Sequence, residues 1–351
     1  MKTKAAILFS INQPLRIIDL DIPKLKPGQV LVDIAYSGLC RSQLNEIKGL
    51  KGKDNYLPHA LGHEGSGIVL DVGQGVKKVH PGDHVVMTWI KGIGYDVPST
   101  SYHSPEGLIN AGAISTFMQK TVISENRLVP ISRDIPLKEA AVLGCAVPTG
   151  AGIVLNKIDA SNCNSIAVFG VGGIGLSSIM VASAVGIKVI IAIDIIERKL
   201  NLAQKLGATH ILNANGSDIL SDIMGITNSK GVDYSIEAAG KKETMESAFQ
   251  SVPDTNGKCI IAGNLSDGEM IEINPMSLIK GKKIVGTWGG ETIPDEDIPK
   301  YVQWYLSGRI ELDQLIKKEY YLNDINLVIS DLENGKVDRP LINMNTKILK
   351  G

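Results

Sequence analysis

The stretch AVFGVGGIG, residues 167–175, decides the fold of this chain. It ends an apolar, β-branched run, and the residues that follow it have helical spacing until Gly186. Glycines at positions 170, 172 and 175 have the spacing G-x-G-x-x-G. Between a strand and a helix, this spacing is typical of a turn that holds the pyrophosphate of a dinucleotide.

Each residue of this turn has a predicted task. Gly170 makes the tight turn, Gly172 lets the backbone approach the pyrophosphate, and Gly175 lets the helix pack closely on the strand. Backbone N–H groups at the helix N-terminus, including those of Gly173 and Ile174, then face the phosphate.

Asp194 ends the next predicted strand, 19 residues after Gly175. A carboxylate there accepts hydrogen bonds from both adenosine ribose hydroxyls and repels the 2′-phosphate of NADP, so NAD is the predicted cofactor. Lys199 completes the predicted cofactor contacts. The alternative interpretation is a glycine turn with a capping aspartate.

The rest of the chain fits a two-domain α/β protein, as its length of 351 residues favours. From about Asn164, six buried-type strands alternate with helices, which predicts a doubly wound parallel sheet. The first third has short β-branched or alternating runs between prolines and glycines, as in a small barrel. After Trp288 the pattern is helical, with a last short strand at PLINM, residues 340–344.

Composition excludes several classes of partner. The net charge is −1 and the charges are interspersed, so neither nucleic acid nor a membrane is a predicted partner. No signal peptide is recognisable, and the most apolar region is interrupted by Gly186, Lys188 and Asp194. The four cysteines lie far apart without a CxxC pair, which favours free thiols or ligands in a reducing cytoplasm.

Cys40, His63 and Cys145 are candidate metal ligands. Taken singly, each is more often a buried thiol or a satisfied core histidine. Together, near glycines at the ends of apolar runs, two thiolates and one imidazole make a three-ligand zinc site whose open fourth position suits catalysis. The stretch around Cys40, GLCRSQLNEIKG (38–49), shows no pattern of a core helix.

These motifs together resemble the zinc-dependent medium-chain alcohol dehydrogenases. The matching strings are GLCRS, GHEGSGIVLDVGQGVKKVHPGDHVV, GCAVPTGAG, GVGGIG and IDI. The resemblance covers nearly the whole chain. It implies a GroES-like β-barrel catalytic domain (1–145 and 290–351) and a Rossmann NAD-binding domain (146–289). It also implies a homodimer or homotetramer, with KKIVGTWGG (282–290) as the sheet edge available for pairing.

The resemblance assigns roles residue by residue. It implies one catalytic zinc ion held by Cys40, His63 and Cys145, with Glu64 behind the metal and, in some relatives, among its ligands. Ser42 matches the hydroxyl that takes the substrate proton.

Further matches concern the cofactor and the substrate. Arg41 and Arg339 match arginines that contact the cofactor pyrophosphate, and Thr149 matches a residue against the nicotinamide. Trp89 falls where the family places a bulky pocket residue, although ordinary core packing explains it equally well.

The chain also departs from the family. Residues 90–117 contain no cysteine where many relatives carry four that hold a structural zinc, so no structural zinc is expected. We expect this loop-like segment to border the substrate cleft or a subunit contact. Gln43 replaces an aspartate, which makes His63 a weaker donor to zinc. Asn45 replaces a histidine and cannot act as a base.

The predicted reaction is a reversible alcohol–carbonyl interconversion on a small molecule. Zinc acts as a Lewis acid on the substrate oxygen, Ser42 accepts the proton, and hydride passes to the nicotinamide. The alternatives are a polyol or sugar-alcohol dehydrogenase, a zinc-free quinone or enone reductase, and a nucleotide-binding protein without catalytic activity.

Overall fold

The computed structural model describes residues 1–216 and 218–344. These residues form short strands in the first third and alternating strands and helices later. The strands are β1 (Lys2–Leu8), β2 (Arg16–Asp21), β3 (Gln29–Gly38), β4 (His59–Ala60), β5 (Glu64–Val72), β6 (His84–Thr88), β7 (Ser101–Ser104), β8 (Gly107–Ala111), β9 (Lys120–Ser124), β10 (Leu128–Pro130), β11 (Ser165–Phe169), β12 (Val189–Asp194), β13 (His210–Asn213), β14 (Tyr234–Glu237), β15 (Lys258–Ile261), β16 (Lys283–Gly286), β17 (Glu319–Tyr321) and β18 (Leu341–Asn343). The α-helices are α1 (Arg41–Ile47), α2 (Leu137–Ala140), α3 (Ala146–Gly152), α4 (Gly173–Ala184), α5 (Glu197–Lys205), α6 (Ile219–Ile226), α7 (Lys242–Gln250), α8 (Pro275–Ile279), α9 (Pro294–Leu306) and α10 (Ile325–Glu333).

The chain folds into two compact units. Unit 1 comprises residues 1–145, 293–308 and, of the described residues, 316–344; unit 2 comprises 146–292 and 309–315. The segment 309–315 therefore differs from the predicted assignment of 290–351 to the first domain. It belongs to unit 2 because Arg309 Nη2 donates to the carbonyl of Ala184 at 3.1 Å and Leu312 is fully buried.

Unit 1 is built from two β structures. Strands β1, β2, β7, β8 and β4 close a barrel, and a seven-stranded sheet has the order β10-β6-β5-β3-β18-β17, with β9 on β3. The long strand β3 has a nearly continuous buried run at its start, VLVDI, in which only Asp33 is partly exposed. The apolar core of unit 1 is built from residues throughout the chain, from Ala5 to Met344. The predicted β-barrel character of the first third is confirmed.

Unit 2 contains a six-stranded sheet of order β13-β12-β11-β14-β15-β16. All its neighbouring strands are parallel, and helices such as α4, α5 and α7 pack on them. The strand order reverses at β11, in the middle of the sheet. In sheets of this architecture, a dinucleotide binds in the crevice outside the carboxyl ends of the strands at such a point of reversal. The predicted doubly wound parallel sheet is confirmed.

Two local expectations are wrong. The stretch 38–49 contains helix α1, in which Leu44 and Ile47 share one buried face. Two helical turns are too short to show a clear period in the sequence. The segment 90–117 is not loop throughout, since β7 and β8 form a hairpin whose Tyr102 and Ile109 point inward.

Among the described residues, no single helix is both long and apolar enough to cross a membrane. One bent helix pair, Leu137–Gly144 with Ala146–Lys157, passes the test of length and composition together. Residues 140–154 of that pair are all buried within the protein.

Candidate functional site

Three ligand-type side chains meet in unit 1. Cys40 is the residue before α1, His63 precedes β5, and Cys145 follows the helical turn that starts with α2. Their ligand atoms all lie within 4.8 Å of one another. Each comes from the end of a different element, so the fold brings together residues up to 105 positions apart.

The donor set fits zinc. His63 Nε2 and Cys145 Sγ are 3.2 Å apart, close to the ligand–ligand separation of a tetrahedral ion with Zn–N near 2.0 Å and Zn–S near 2.3 Å. The Cys145 thiol, together with His63 and the positive charge of Arg339, holds the pKa of Cys40 well below its usual range. Cys40 is thus already disposed to be the thiolate that binds a metal.

Gln43 lies directly behind His63. Its side-chain amide is 2.5 Å from His63 Nδ1, while its Oε1 is buried without a partner in the described part of the chain. A histidine that binds metal through Nε2 carries its proton on Nδ1 and needs an acceptor there. A half-turn of the amide places Oε1 where it can accept that proton.

Glu64 and Arg339 form a buried ion pair beside the cluster. Glu64 Oε2 accepts from Arg339 Nη2, and the two residues are 0% and 5% exposed. Burial raises the pKa of Glu64 to about 7, and the guanidinium opposes that rise. Glu64 is not in the group of ligand atoms that lie within 4.8 Å of one another, and its place behind the metal or among its ligands stays a prediction.

Glycines make room for the Glu64 carboxylate. A Cβ at Gly38 would lie 2.6 Å from Glu64 Oε1, and one at Gly144 would lie 2.7 Å from Glu64 Cβ. These glycines flank Cys40 and Cys145 in sequence, which gives a physical reason for glycine beside each thiol. The ion pair and the metal ligands therefore share one tightly packed region.

Three further residues with predicted roles, Arg41, Ser42 and Trp89, also belong to unit 1. Arg41 is exposed and Ser42 half-buried, both in the first turn of α1. Trp89 is half-buried and packs against the apolar core of unit 1, and its carbonyl accepts from Arg127 Nη1. Core packing thus accounts for part of the Trp89 surface; its role in a substrate pocket stays a prediction.

The cysteine-free segment after β6 is tied down by a buried carboxylate. Glu125, 3% exposed, accepts from the backbone N–H groups of Lys77, Lys78 and Tyr95 at 2.7, 2.7 and 2.9 Å. Burial acts to raise the pKa of Glu125, but these donors outweigh it and hold that pKa below its ordinary value. Sequence analysis did not single out Glu125, because only the fold shows which N–H groups surround it.

In unit 2, the glycine turn has the geometry that its spacing predicts. Gly170 has φ +89°, and a Cβ on Gly175 would lie 2.1 Å from the carbonyl oxygen of Gly170, so both positions require glycine. At Gly172, the residue before α4, an added Cβ would meet no described atom within 4 Å. The turn is closed toward its own strand and open at the position predicted to face the pyrophosphate.

Asp194 holds the turn as well as lying beside it. Its Oδ2 accepts from the N–H of Val171 and its Oδ1 from that of Ile196, both at 3.0 Å. Lys199 Nζ is 3.9 Å from Asp194 Oδ2. Thr149 is buried in α3 of the same unit.

Sequence analysis also did not single out Glu237, which ends the strand next to β11. It is fully buried at the end of β14, and burial raises its pKa. The signal was present, since Glu237 is an acidic residue that ends a parallel strand, as Asp194 does on β12.

Known proteins match this chain along most of its length. The alcohol dehydrogenase GroES-like domain matches residues 26–133, and the zinc-binding dehydrogenase domain matches 173–307. An S-(hydroxymethyl)glutathione dehydrogenase of Synechocystis sp. is 32% identical over 97% of this chain and 100% of its own length.

Two solved structures are similar over nearly the whole chain. An alcohol dehydrogenase zinc-binding domain protein from Burkholderia ambifaria has a TM-score of 0.91 at 30% identity, covering 98% of this chain and 99% of its own. Benzyl alcohol dehydrogenase from Acinetobacter calcoaceticus has a TM-score of 0.90 at 29% identity, covering 98% and 100%. With the Cys/His/Cys cluster and the glycine turn in place, this chain belongs to the zinc-dependent medium-chain alcohol dehydrogenase family.

Proposed function

We propose that this protein is an NAD-dependent zinc alcohol dehydrogenase that interconverts an alcohol with an aldehyde or ketone. The observation that carries the proposal is the convergence of Cys40, His63 and Cys145 within 4.8 Å in a chain that also has the dinucleotide turn. A nucleotide-binding protein without catalytic activity has no need of a three-ligand site.

The chain's own residues have distinct tasks in this reaction. When bound, zinc supplies a Lewis acid for the substrate oxygen and NAD supplies the hydride acceptor. Cys40, His63 and Cys145 hold the metal, and Gln43 fixes the orientation of the His63 ring. Ser42, two residues from Cys40 in the first turn of α1, takes the substrate proton.

NAD is preferred over NADP in this proposal because Asp194 stands at the end of β12. Its carboxylate lies next to the glycine turn and would face a 2′-phosphate with like charge. Within unit 2, we assign the pyrophosphate contacts to Gly172, Gly173 and Ile174, and the nicotinamide contact to Thr149.

Metal analysis and hydride transfer test the proposal together. Purified protein is expected to hold one zinc ion per chain, and Cys40→Ser or His63→Ala is expected to lose both the zinc and the turnover. Cys163→Ser is the matched control, since Cys163 is buried in unit 2 and its thiol donates to the carbonyl of Ser165. Zinc-free wild-type protein that reduces quinones or enones would favour the zinc-free reductase instead.

A substrate panel then narrows the class. We expect the highest kcat/KM for a simple or aromatic primary alcohol, since similar proteins include a benzyl alcohol dehydrogenase and an S-(hydroxymethyl)glutathione dehydrogenase. Higher kcat/KM for sugar alcohols would instead support the polyol dehydrogenase.

We also propose that the protein acts in the cytoplasm as a homodimer or homotetramer. None of the four cysteines is in a disulfide, which suits a reducing compartment. Strand β16 is one edge of the six-stranded sheet, and exposed apolar side chains follow and precede it, with Ile279 and Trp288 each 76% exposed. An uncovered edge beside apolar surface favours pairing with a second copy.

A further inference from the structure

Three neighbouring strands of unit 2 end side by side. Strand β11 leads into the glycine turn, and β12 and β14 flank it, with Phe169 opposite Ile193 on one side and Glu237 on the other. The last residues of the two flanking strands are both acidic, Asp194 on β12 and Glu237 on β14. The glycine turn therefore lies between two carboxylates.

The Glu237 carboxylate organises the loop that follows its strand. Its Oε1 accepts from the N–H groups of Ala239 and Gly240 at 2.9 and 2.8 Å and from the hydroxyl of Thr244 at 2.7 Å. These three bonds tie the turn after β14 to the first turn of α7. Bonds to a carboxylate are stronger than those to a neutral acceptor.

That loop is one wall of the glycine turn. A Cβ on Gly170 would lie 2.6 Å from the nitrogen of Ala239 and 2.7 Å from its Cβ. Ala238 N also donates to the carbonyl of Phe169 at 2.8 Å. A shift of Ala239 would therefore move the backbone at Gly170, where the turn begins.

The same residue also fixes the next loop. The N–H groups of Ala262 and Gly263, after β15, donate to the backbone carbonyl of Glu237 at 2.8 and 3.0 Å. A Cβ on Gly263 would lie 2.5 Å from Glu237 Oε2, an oxygen that is buried without a hydrogen-bond partner in residues 1–216 and 218–344. Glu237 therefore holds the loops after β14 and β15. It also pairs with Phe169, the last residue of β11 before the glycine turn.

Stability alone is a poor reason for this arrangement. A turn can be capped by an exposed Asn, Asp or Ser side chain. Glu237 is instead 0% exposed, one of its oxygens is unsatisfied, and the described residues contain no ion-pair partner for it. Burying a carboxylate in this way costs free energy. The cost indicates that Glu237 serves ligand binding rather than folding stability.

We propose that Glu237 is a positioning residue for the dinucleotide, which fixes the loops on the nicotinamide side of the glycine turn. The inference rests on the proposed function. In a sheet of this strand order the two mononucleotide halves lie on opposite sides of the central strand. Asp194 marks the adenosine half, so Glu237 flanks the other half.

The experiment measures NAD affinity in three variants of the full chain, at a temperature well below unfolding. Glu237→Ala removes the acceptor and is expected to raise the Kd and KM for NAD by about 10-fold or more, with a smaller change in kcat. Glu237→Gln keeps an acceptor oxygen at the same place and is expected to stay within about 3-fold of wild type. Thr244→Val removes one of the donors to the Glu237 carboxylate and is expected to raise the Kd by about 2–5-fold.

Thr227→Val controls for stability. The Thr227 hydroxyl also bridges backbone groups of unit 2, donating to the carbonyl of Ile223 and accepting from the N–H of Gly231, but before β14 rather than after it. It is expected to lower the unfolding midpoint and leave the Kd for NAD unchanged. Zinc content, set by unit 1, is expected to be the same in all four proteins.

Several results would overturn the inference. NAD affinity of Glu237→Ala within 2-fold of wild type would do so, as would Glu237→Gln binding NAD as weakly as Glu237→Ala. If Glu237→Ala does not accumulate, a Thr244→Val protein with wild-type affinity has the same consequence. Wild-type protein that binds zinc but no NAD would instead overturn the proposed function, and this inference with it.

Discussion

Glu64 and Arg339 form an ion pair from which solvent is almost completely excluded, although they lie 275 residues apart in the chain. The pair joins the start of β5 to the segment before β18, and it lies beside the residues that we propose as zinc ligands. Each of the two charges loses its solvation on burial, and the opposite charge of its partner compensates part of that loss.

Removing the cation alone should therefore be severe. We expect Arg339→Met to lower the free energy of unfolding by about 3–5 kcal/mol, because the buried Glu64 carboxyl loses its partner. Glu64→Gln in addition should recover much of the loss. Urea unfolding of the metal-free and zinc-loaded proteins measures the effect. Lys91→Met, in the exposed pair with Asp96, is the control and should cost less than about 1 kcal/mol; equal effects would contradict the argument.

Gln43 should control how tightly the metal is held. Gln43→Leu keeps the volume but cannot accept from His63 Nδ1, so we expect zinc affinity to fall by about 10–100-fold. Gln43→Glu adds a charge behind the imidazole and should bind zinc more tightly than wild type. Competition with a chromophoric chelator measures both. Asn45→Ala, on the same helix, should leave affinity unchanged; an unaltered Gln43→Leu affinity would show that this contact is irrelevant to the metal.

Replacing Asp194 should not be enough to change the cofactor preference from NAD to NADP. Asp194→Ala removes the like charge that would face a 2′-phosphate in the proposed site, but it also leaves the N–H groups of Val171 and Ile196 without their acceptor. We expect NAD affinity to fall by about 10-fold or more, and NADP affinity to stay below that of wild type for NAD. Titration with both cofactors checks this, with Lys199→Met as a comparison. Full conversion to tight NADP binding would refute the structural role.

Glu125 should make stability sensitive to acid. Its folded pKa lies below the ordinary value, so its contribution is fully present above pH 4.5, the ordinary value, and is lost as pH falls through the folded pKa. We expect Glu125→Gln to cost about 2 kcal/mol or more near pH 7, since three N–H groups lose a charged acceptor. The difference from wild type should shrink below about pH 4. Denaturant unfolding from pH 3 to 7 measures it, and a constant difference would argue against the carboxylate.

The apolar surface beside the edge strand β16 should determine assembly. Ile279→Glu introduces a charge into exposed apolar surface near β16, so we expect dissociation to occur at higher protein concentration than for wild type. Sedimentation velocity measures this. Leu108→Glu, at a 50% exposed position on β8 in unit 1, is the control. A wild-type protein that is already monomeric at micromolar concentration would refute the proposed oligomer.

Much of unit 2 was predictable because its strands are short, apolar and separated by clear turns. The run before Gly170 and the glycine spacing sufficed for β11, the turn and α4. In unit 1, helix α1 could not be predicted from the sequence, because Leu44 and Ile47 alone are too few to display a helical period. Hairpin β7–β8 was also missed, because its alternation of Tyr102 and Ile109 with polar residues is brief.

The candidate site was predictable where chemistry needs a rare residue type. Cys40, His63 and Cys145 are conspicuous as thiols and an imidazole, and the structure brings them together. Glu237 and Glu125 were not found because glutamate is common, and their importance comes from backbone N–H groups that only the fold assembles. The contact of Arg339 with Glu64 joins distant segments, so no local pattern could reveal it.

The use of Glu125 has a consequence for the conditions that the protein tolerates. The carboxylate of Glu125 joins the cysteine-free segment after β6, at the N–H of Tyr95, to the N–H groups of Lys77 and Lys78 before that strand. A carboxylate is not oxidised by peroxide and does not compete for scarce zinc. Oxidation of Cys40 or Cys145, or metal starvation, should therefore stop turnover while that segment stays folded. Reductant and added metal should restore activity when the thiols are oxidised no further than the disulfide or sulfenic acid.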